Sequence, residues 1–306
     1  MGIKLFFFYC HCRFLPLNHK YRKKRKDFFV SRVENDAAPP RLLVEELHDV
    51  VSEYGDIVFG LPSGKQKFPG FGLTHNWVKR SIFWELPYWK TNLLRHNLDV
   101  MHIEKNVFEN IFNTVIVKGK TKDNIKARLD LALFYNRKNM KLVCDGSRVA
   151  KPRASFVLEK NAQLLVYKWL KSLRFSDGHA SNISRLVNTE ECRLYGMKSH
   201  DCHVFMQTLI PLAFHDLLPK GIWDALAEIS HFFRDICSSK LNVDHIERLE
   251  TNIIETICKL ELIFPPSFFE SMEHVLVHLP FEVKVRGLVQ YRWMYPFERL
   301  DIIVSM

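Results

Sequence analysis

Glu104 stands where an acid needs a partner. Val100, Ile103, Val107, Ile111 and Val115 recur at helical spacing over residues 97–115. Asn97 is the predicted N-cap, and Asp99 lies in the first turn, where the helix dipole favours a carboxylate. With Asp99 at the origin and about 100° per residue, the apolar stripe spans roughly 40° to 160°. His102, Asn106 and Asn113 share the polar side with Asp99, whereas Glu104 falls at about 140°, inside the stripe. An ionised carboxylate on a buried face costs several kcal/mol unless it is compensated. The residue types allow two solutions, an ion pair with a Lys or Arg from elsewhere, or a metal.

His200-Asp201-Cys202-His203 places two imidazoles three residues apart, with a carboxylate and a thiol between them. One helical turn could present His200 and His203 to a zinc ion. The alternative is capping chemistry, with Ser199 as the N-cap. Seven cysteines stand in the chain, with no C-x-x-C pair. The odd, sparse set argues for a reducing compartment and against an autonomous zinc finger or a disulfide scaffold. His75-Asn76 and His96-Asn97 are isolated dipeptides without further motif support. The chain has no P-loop, dinucleotide glycine motif, G-x-S-x-G or H-E-x-x-H. Those absences argue against nucleotide hydrolases, dinucleotide-dependent enzymes and the common hydrolases.

A second chemistry is electrostatic. Residues 19–26 carry six cations, Lys20, Arg22, Lys23, Lys24, Arg25 and Lys26. Such a run reads as a phosphate-binding segment, a nuclear-localisation signal or a solvated surface. Residues 1–150 hold 26 Lys+Arg against 15 Asp+Glu, a net of +11, while residues 151–306 hold 18 against 19, a net of −1. A positive half attached to a neutral half suggests a polyanion-facing module joined to something else. Trp77, Phe83, Trp84, Tyr88 and Trp89, interleaved with Lys79, Arg80, Lys90 and Arg95, read either as core anchors or as base-stacking groups.

The elements that must position these residues are mostly helices. The 306 residues are 47% hydrophobic and 25% charged, the balance of a folded globular chain. No stretch approaches the roughly 18–20 apolar residues of a membrane span. The short apolar start at Leu5–Tyr9 lacks a small-residue cleavage site. Periodicity predicts helices over 41–59, 97–115, 155–173, 201–209, 222–237, 243–262 and 267–279. The 243–262 helix carries Ile246, Leu249, Ile253, Ile254, Ile257 and Leu260 on one face, a packing pattern. Residues 34–40 read as a linker, 60–76 as a Gly/Pro-rich loop, 118–128 as a basic stretch and 145–153 as a domain junction.

Several runs carry a resemblance. They are Arg13-Phe14-Leu15-Pro16, His75-Asn76-Trp77, Glu85-Leu86-Pro87-Tyr88-Trp89-Lys90, Leu94 to Val107 (Leu-Arg-His-Asn-Leu-Asp-Val-Met-His-Ile-Glu-Lys-Asn-Val) and Gly119-Lys120-Thr121-Lys122-Asp123. In the second half they are Ser181 to Arg185, Lys198 to Val204, Phe264 to Phe269 and Arg292 to Arg299. From about residue 11 onward the chain resembles plant transposases of the CACTA (En/Spm) superfamily and the plant domain of unknown function that follows their core.

The resemblance implies a mainly α fold, with the truncated tail of an RNase H-like α/β transposase core followed by a predominantly helical domain. Residues 1–10 do not match and read as translated intron or flanking sequence. Residues 11–130 would be the core remnant, 131–177 a connecting segment with one helix, and 178–306 the helical domain. The family's early acids and its C-x-x-C pair lie upstream of what is present, and the family normally continues beyond Met306. The expectation is therefore a degenerate or partial transposon reading frame. In an intact relative, paired carboxylates hold Mg2+ or Mn2+ for phosphoryl transfer. Here no cofactor is expected, with Glu104 first and Asp99 second as remnant acids. The implied setting is nuclear, with weak charge-driven DNA binding and with transposon or host nuclear proteins as further partners. No membrane partner is implied. A domesticated nuclear interaction module is the alternative, and a metalloenzyme around His200 and His203 is a third reading.

Overall fold

The computed structural model describes residues 10–23, 34–41, 44–52, 73, 82–94, 96–117, 121–134, 137–145, 148–176 and 182–294. The helices are α1 (Lys20–Lys23), α2 (Val44–Ser52), α3 (Val100–Ile116), α4 (Ile125–Phe134), α5 (Lys160–Ser172) and α6 (Ile183–Leu186). They continue with α7 (Ser199–Val204), α8 (Ile210–Phe214), α9 (Lys220–Ile236), α10 (Val243–Ile263), α11 (Ser271–His274) and α12 (Leu279–Arg286). Strands among the described residues form two antiparallel hairpins. β1 (Val143–Asp145) pairs β2 (Arg148–Ala150) with Cys144 opposite Val149, and β3 (Val187–Asn188) pairs β4 (Arg193–Leu194). The chain is mainly helical, as its periodicity predicts.

Two compact units emerge. One comprises the described parts of Met1–Ala38 and Leu98–Met306, and the other those of Pro39–Asn97. These units do not coincide with the expected segments 11–130, 131–177 and 178–306. Cys12, Leu15 and Tyr21 share one hydrophobic core with Val107, Ile111, Phe214, Ile257 and Val289. The expected junction at 145–153 lies within that unit, where β1 and β2 form a hairpin.

α3 runs through this core. Its N-cap is Asp99, whose carboxylate accepts the Met101 N–H at 3.2 Å, so the cap sits two residues later than the predicted Asn97. It ends on Val117 in the left-handed region, whose N–H bonds the Asn113 carbonyl. The expected apolar stripe is buried. Burial goes further, because Phe108 and Phe112 close on Phe205 at 4.9 and 5.4 Å between ring centroids. On another side, Asn110 donates to the Phe268 carbonyl and to Glu273 Oε1. α3 thus packs against α7 and α11 rather than lying on a surface.

The helix expected to end before Pro211 instead continues. α7 passes through a π-helical turn, Phe205–Leu209, into α8 with Pro211 in its first turn. Ile210 N–H bonds the Phe205 carbonyl, and Pro211 has no N–H to give. Ser230 on α9 donates its hydroxyl to the Met206 carbonyl at 2.7 Å, which supplies the missing donor. The α10 stripe is buried as its spacing predicts. Asn242 caps α10 by accepting the His245 N–H at 2.7 Å. The expected 155–173 helix begins only at Lys160, because Phe156, Val157 and Leu158 are core anchors and Leu158 N–H bonds the Val115 carbonyl at 2.9 Å. The expected 267–279 helix is broken into α11 flanked by 3-10 turns at Pro266–Phe268 and Val275–Val277.

In the Pro39–Asn97 unit, the expected 41–59 helix is described over Val44–Ser52. Phe83 stacks on Trp89 at 5.1 Å, and His48 meets Trp84 at 5.9 Å. Residues 53–72, and with them most of the predicted 60–76 loop, lie outside the described residues, as does Trp77.

Candidate functional site

α3 presents Glu104 one turn in from its N-terminus, on the side that meets α7. The carboxylate is fully buried, 0% exposed, as its angular position predicts. Its partner is neither Lys nor Arg. Glu104 Oε2 lies 2.5 Å from His203 Nδ1, while Oε1 has no hydrogen-bond partner. Burial pushes the Glu104 carboxyl above the usual range, opposed by His203 and then by the Gln207 amide.

α7 supplies His203. Its first turn is closed by Asp201, whose carboxylate accepts the Lys198 N–H at 2.9 Å, so the N-cap is Lys198 and the expected Ser199 is already helical. One turn beyond His203, Gln207 places Nε2 3.1 Å from His203 Nδ1 and 3.2 Å from the Phe233 carbonyl. The carbonyl fixes the amide's orientation, because a flipped oxygen would face it. Phe233 and Cys237 belong to the end of α9, where Cys237 is the C-cap and its own N–H bonds the Phe233 carbonyl at 3.1 Å. The ligand-type atoms of Glu104, His203 and Cys237 all lie within 4.8 Å of one another. Burial and then Glu104 push the Cys237 thiol pKa up, opposed by Gln207. The Trp293 and His203 rings meet in a T-shaped contact at 5.8 Å between centroids.

The structure therefore separates the predicted His200–His203 pair. Their rings stack at 6.1 Å, but His200 is exposed and does not belong to the trio. A spacing of three put both on one side of a turn, yet His203 points inward to α3 and His200 lies at the rim. Asp99 is occupied as a helix cap. Cys237 and Gln207 carried no signal in the sequence. Cys237 stood at the predicted end of a helix, far along the chain from Glu104, and only tertiary packing joins them.

The basic run is not uniform. Arg22 is 3% exposed and is removed from the set of DNA-facing cations. Its guanidinium donates to the carbonyls of Leu15 (2.8 Å), Arg13 (2.6 Å), Glu34 (3.0 Å) and Asp36 (3.0 Å). A rigid fork of five donors suits this bundle of carbonyls, which explains why an Arg is buried here. Lys20 and Lys23 are exposed, Lys20 with its ammonium 5.2 Å from the Tyr21 ring centroid. Lys24, Arg25 and Lys26 lie outside the described residues. Within the 118–128 basic stretch, Arg128 is also withdrawn, since it pairs with the buried Asp123, which Lys151 contacts as well. No helix among the described residues is long and apolar enough to cross a membrane.

A family model described as "Domain of unknown function (DUF4218)" matches residues 236–305. No curated protein and no solved structure matches the chain. The matched segment opens at the end of α9 and takes in Cys237, whereas Glu104 and His203 precede it.

Proposed function

We propose that the chain is a transposon-derived nuclear protein of the plant CACTA (En/Spm) type, a late part of an RNase H-like transposase joined to a helical domain. On this reading it lacks the full catalytic set and meets DNA weakly through charge. The motif runs quoted above support the origin, and the +11 of residues 1–150 supports the DNA partner. Transposon or host nuclear proteins are the further partners this origin implies.

The observation that carries the non-catalytic part is how the two candidate acids are used. Asp99 caps α3, and Glu104 turns its carboxylate to an imidazole and a thiol rather than to a second carboxylate. Two-metal phosphoryl transfer needs acids that converge to bridge hard cations. The Glu–His–Cys trio, with Glu104 buried and His203 and Cys237 partly exposed, offers one carboxylate and two softer donors.

Incubation with terminal-repeat DNA and Mg2+ or Mn2+ tests the catalytic half, with no strand cleavage or transfer expected. Nicking that disappears in Glu104→Gln would overturn it. For the DNA half, replacing Lys23, Lys24, Arg25 and Lys26 together by Gln should weaken binding and flatten its salt dependence, since each phosphate contact contributes to the slope. An unchanged slope would make the run a solvated surface. Arg22 is left intact in this variant because it is buried in the fold.

A further inference from the structure

We propose that Glu104, His203 and Cys237 form a zinc-class metal site that ties α3, α7 and the end of α9 together. This departs from the expectation that the chain carries no metal, and it stands whether or not the transposon reading holds.

The donor set comes first. A thiolate and an imidazole select zinc and similar borderline ions over magnesium or manganese, and a carboxylate oxygen completes a common three-residue set. The three side chains come from three different helices and converge within 4.8 Å. Ligands of a tetrahedral zinc sit about 2.0–2.3 Å from the metal, and therefore roughly 3.3–3.7 Å apart. The observed spread asks for side-chain adjustments on the order of 1 Å, while the backbones already stand in place.

One further observation points to a ligand. Glu104 Oε1 is a fully buried carboxylate oxygen with no hydrogen-bond donor. Such an atom is costly to leave unsatisfied. His203 Nδ1 also faces two groups at once, Glu104 Oε2 at 2.5 Å and Gln207 Nε2 at 3.1 Å. A cation satisfies the orphan Glu104 oxygen. Nδ1 gives its lone pair to the metal, and the carboxylate neutralises charge that a buried ion would otherwise leave exposed to a low dielectric. The thiol proton and the proton held between His203 Nδ1 and Glu104 Oε2 both leave to solvent as the metal binds, so uptake is tighter at higher pH. Three protein donors leave the fourth position to water, which reaches the site by the His203 side chain, 16% exposed.

Cobalt(II) reports the thiolate directly. The full chain, reduced and stripped with chelator, is titrated with Co2+ and then with Zn2+. The expected result is one cobalt per chain, with a thiolate-to-cobalt charge-transfer band that zinc abolishes. Cys237→Ser should remove the band, and His203→Gln and Glu104→Gln should each weaken binding at least tenfold. Cys144→Ser, at an exposed cysteine, should leave the band intact. Far-ultraviolet circular dichroism checks that each variant remains helical. No thiolate band in the wild-type chain would overturn the proposal, whatever the variants do. A band that survives in Cys237→Ser would overturn it equally, by placing the metal on other cysteines.

Discussion

His274 shows what burial does to a single imidazole. Its Nδ1 lies 3.1 Å from His11 Nε2, its ring is 5.2 Å from that of His278, and Phe14 stands at 6.2 Å. Glu261 meets the other nitrogen of His11 at 2.6 Å. Burial, then the neighbouring His11 and His278, brings the His274 pKa down from 6.5 to about 4. Between those values the unfolded chain binds the proton and the folded chain does not. The stability is therefore complete above about pH 6.5 and is lost as the pH falls toward about 4. The ring is half-buried, so solvent screening reduces the effect to about 1–2 kcal/mol. Urea denaturation should show this loss between about pH 7 and pH 4.5, and His274→Gln should flatten it. An undiminished slope in the variant would assign the titration to another group.

Arg22 and Lys23 make the same point about neighbours in a run. Arg22→Ala removes four carbonyl contacts and should cost about 2–3 kcal/mol in a urea melt, whereas Lys23→Gln should stay within about 0.5 kcal/mol. Equal costs would contradict the burial of Arg22. A charge run reads as uniform in the sequence because nothing in composition tells which cation the backbone will wrap. The burial of Glu104 was legible, because a helix fixes the angular place of each residue. Its partner was not, since His203 and Cys237 come from helices whose docking no local pattern specifies.

At the scale of the element, helices were legible where one apolar face met the core. α10 and α9 nearly coincide with the predicted ranges, and the α3 stripe is buried as read. The differences arise where tertiary bonds override local rules. Phe156 to Leu158 forgo helix to anchor the core, and Pro211 is carried inside a helical run by the π-helical turn and by Ser230. That hydroxyl is the testable part. Ser230→Ala leaves the buried Met206 carbonyl without the donor from α9 and should destabilise by about 1–2 kcal/mol. A cost near zero would mean that the π-helical turn satisfies its own carbonyls. Substituting Pro211 by Ala in the same background restores an N–H at that position. It should recover part of the loss if the missing donor is the cause.

At the scale of the whole molecule, the segment 10–38 belongs with 98–294, although the sequence places Pro39–Asn97 between them. The sequence pattern read the chain as consecutive halves because a core assembled from distant segments leaves no mark in composition. In the structure, Cys12, Leu15 and Tyr21 enter the shared core, and the turn His11–Phe14 packs against α10. Backbone and side chain of His11 both meet Glu261, at 3.2 and 2.6 Å. Burying three such side chains contributes several kcal/mol at about 1.5–3 kcal/mol each, enough to hold a fragment that a cut has freed. A site-specific protease sequence inserted after Leu73, which is 93% exposed, provides the cut. After cleavage the two pieces should co-elute in size-exclusion chromatography and separate only in denaturant. His11→Ala combined with Tyr21→Ala should release the N-terminal piece under native conditions. If the wild-type pieces separate without denaturant, residues 10–38 do not belong to the core, and the consecutive-halves reading regains its ground.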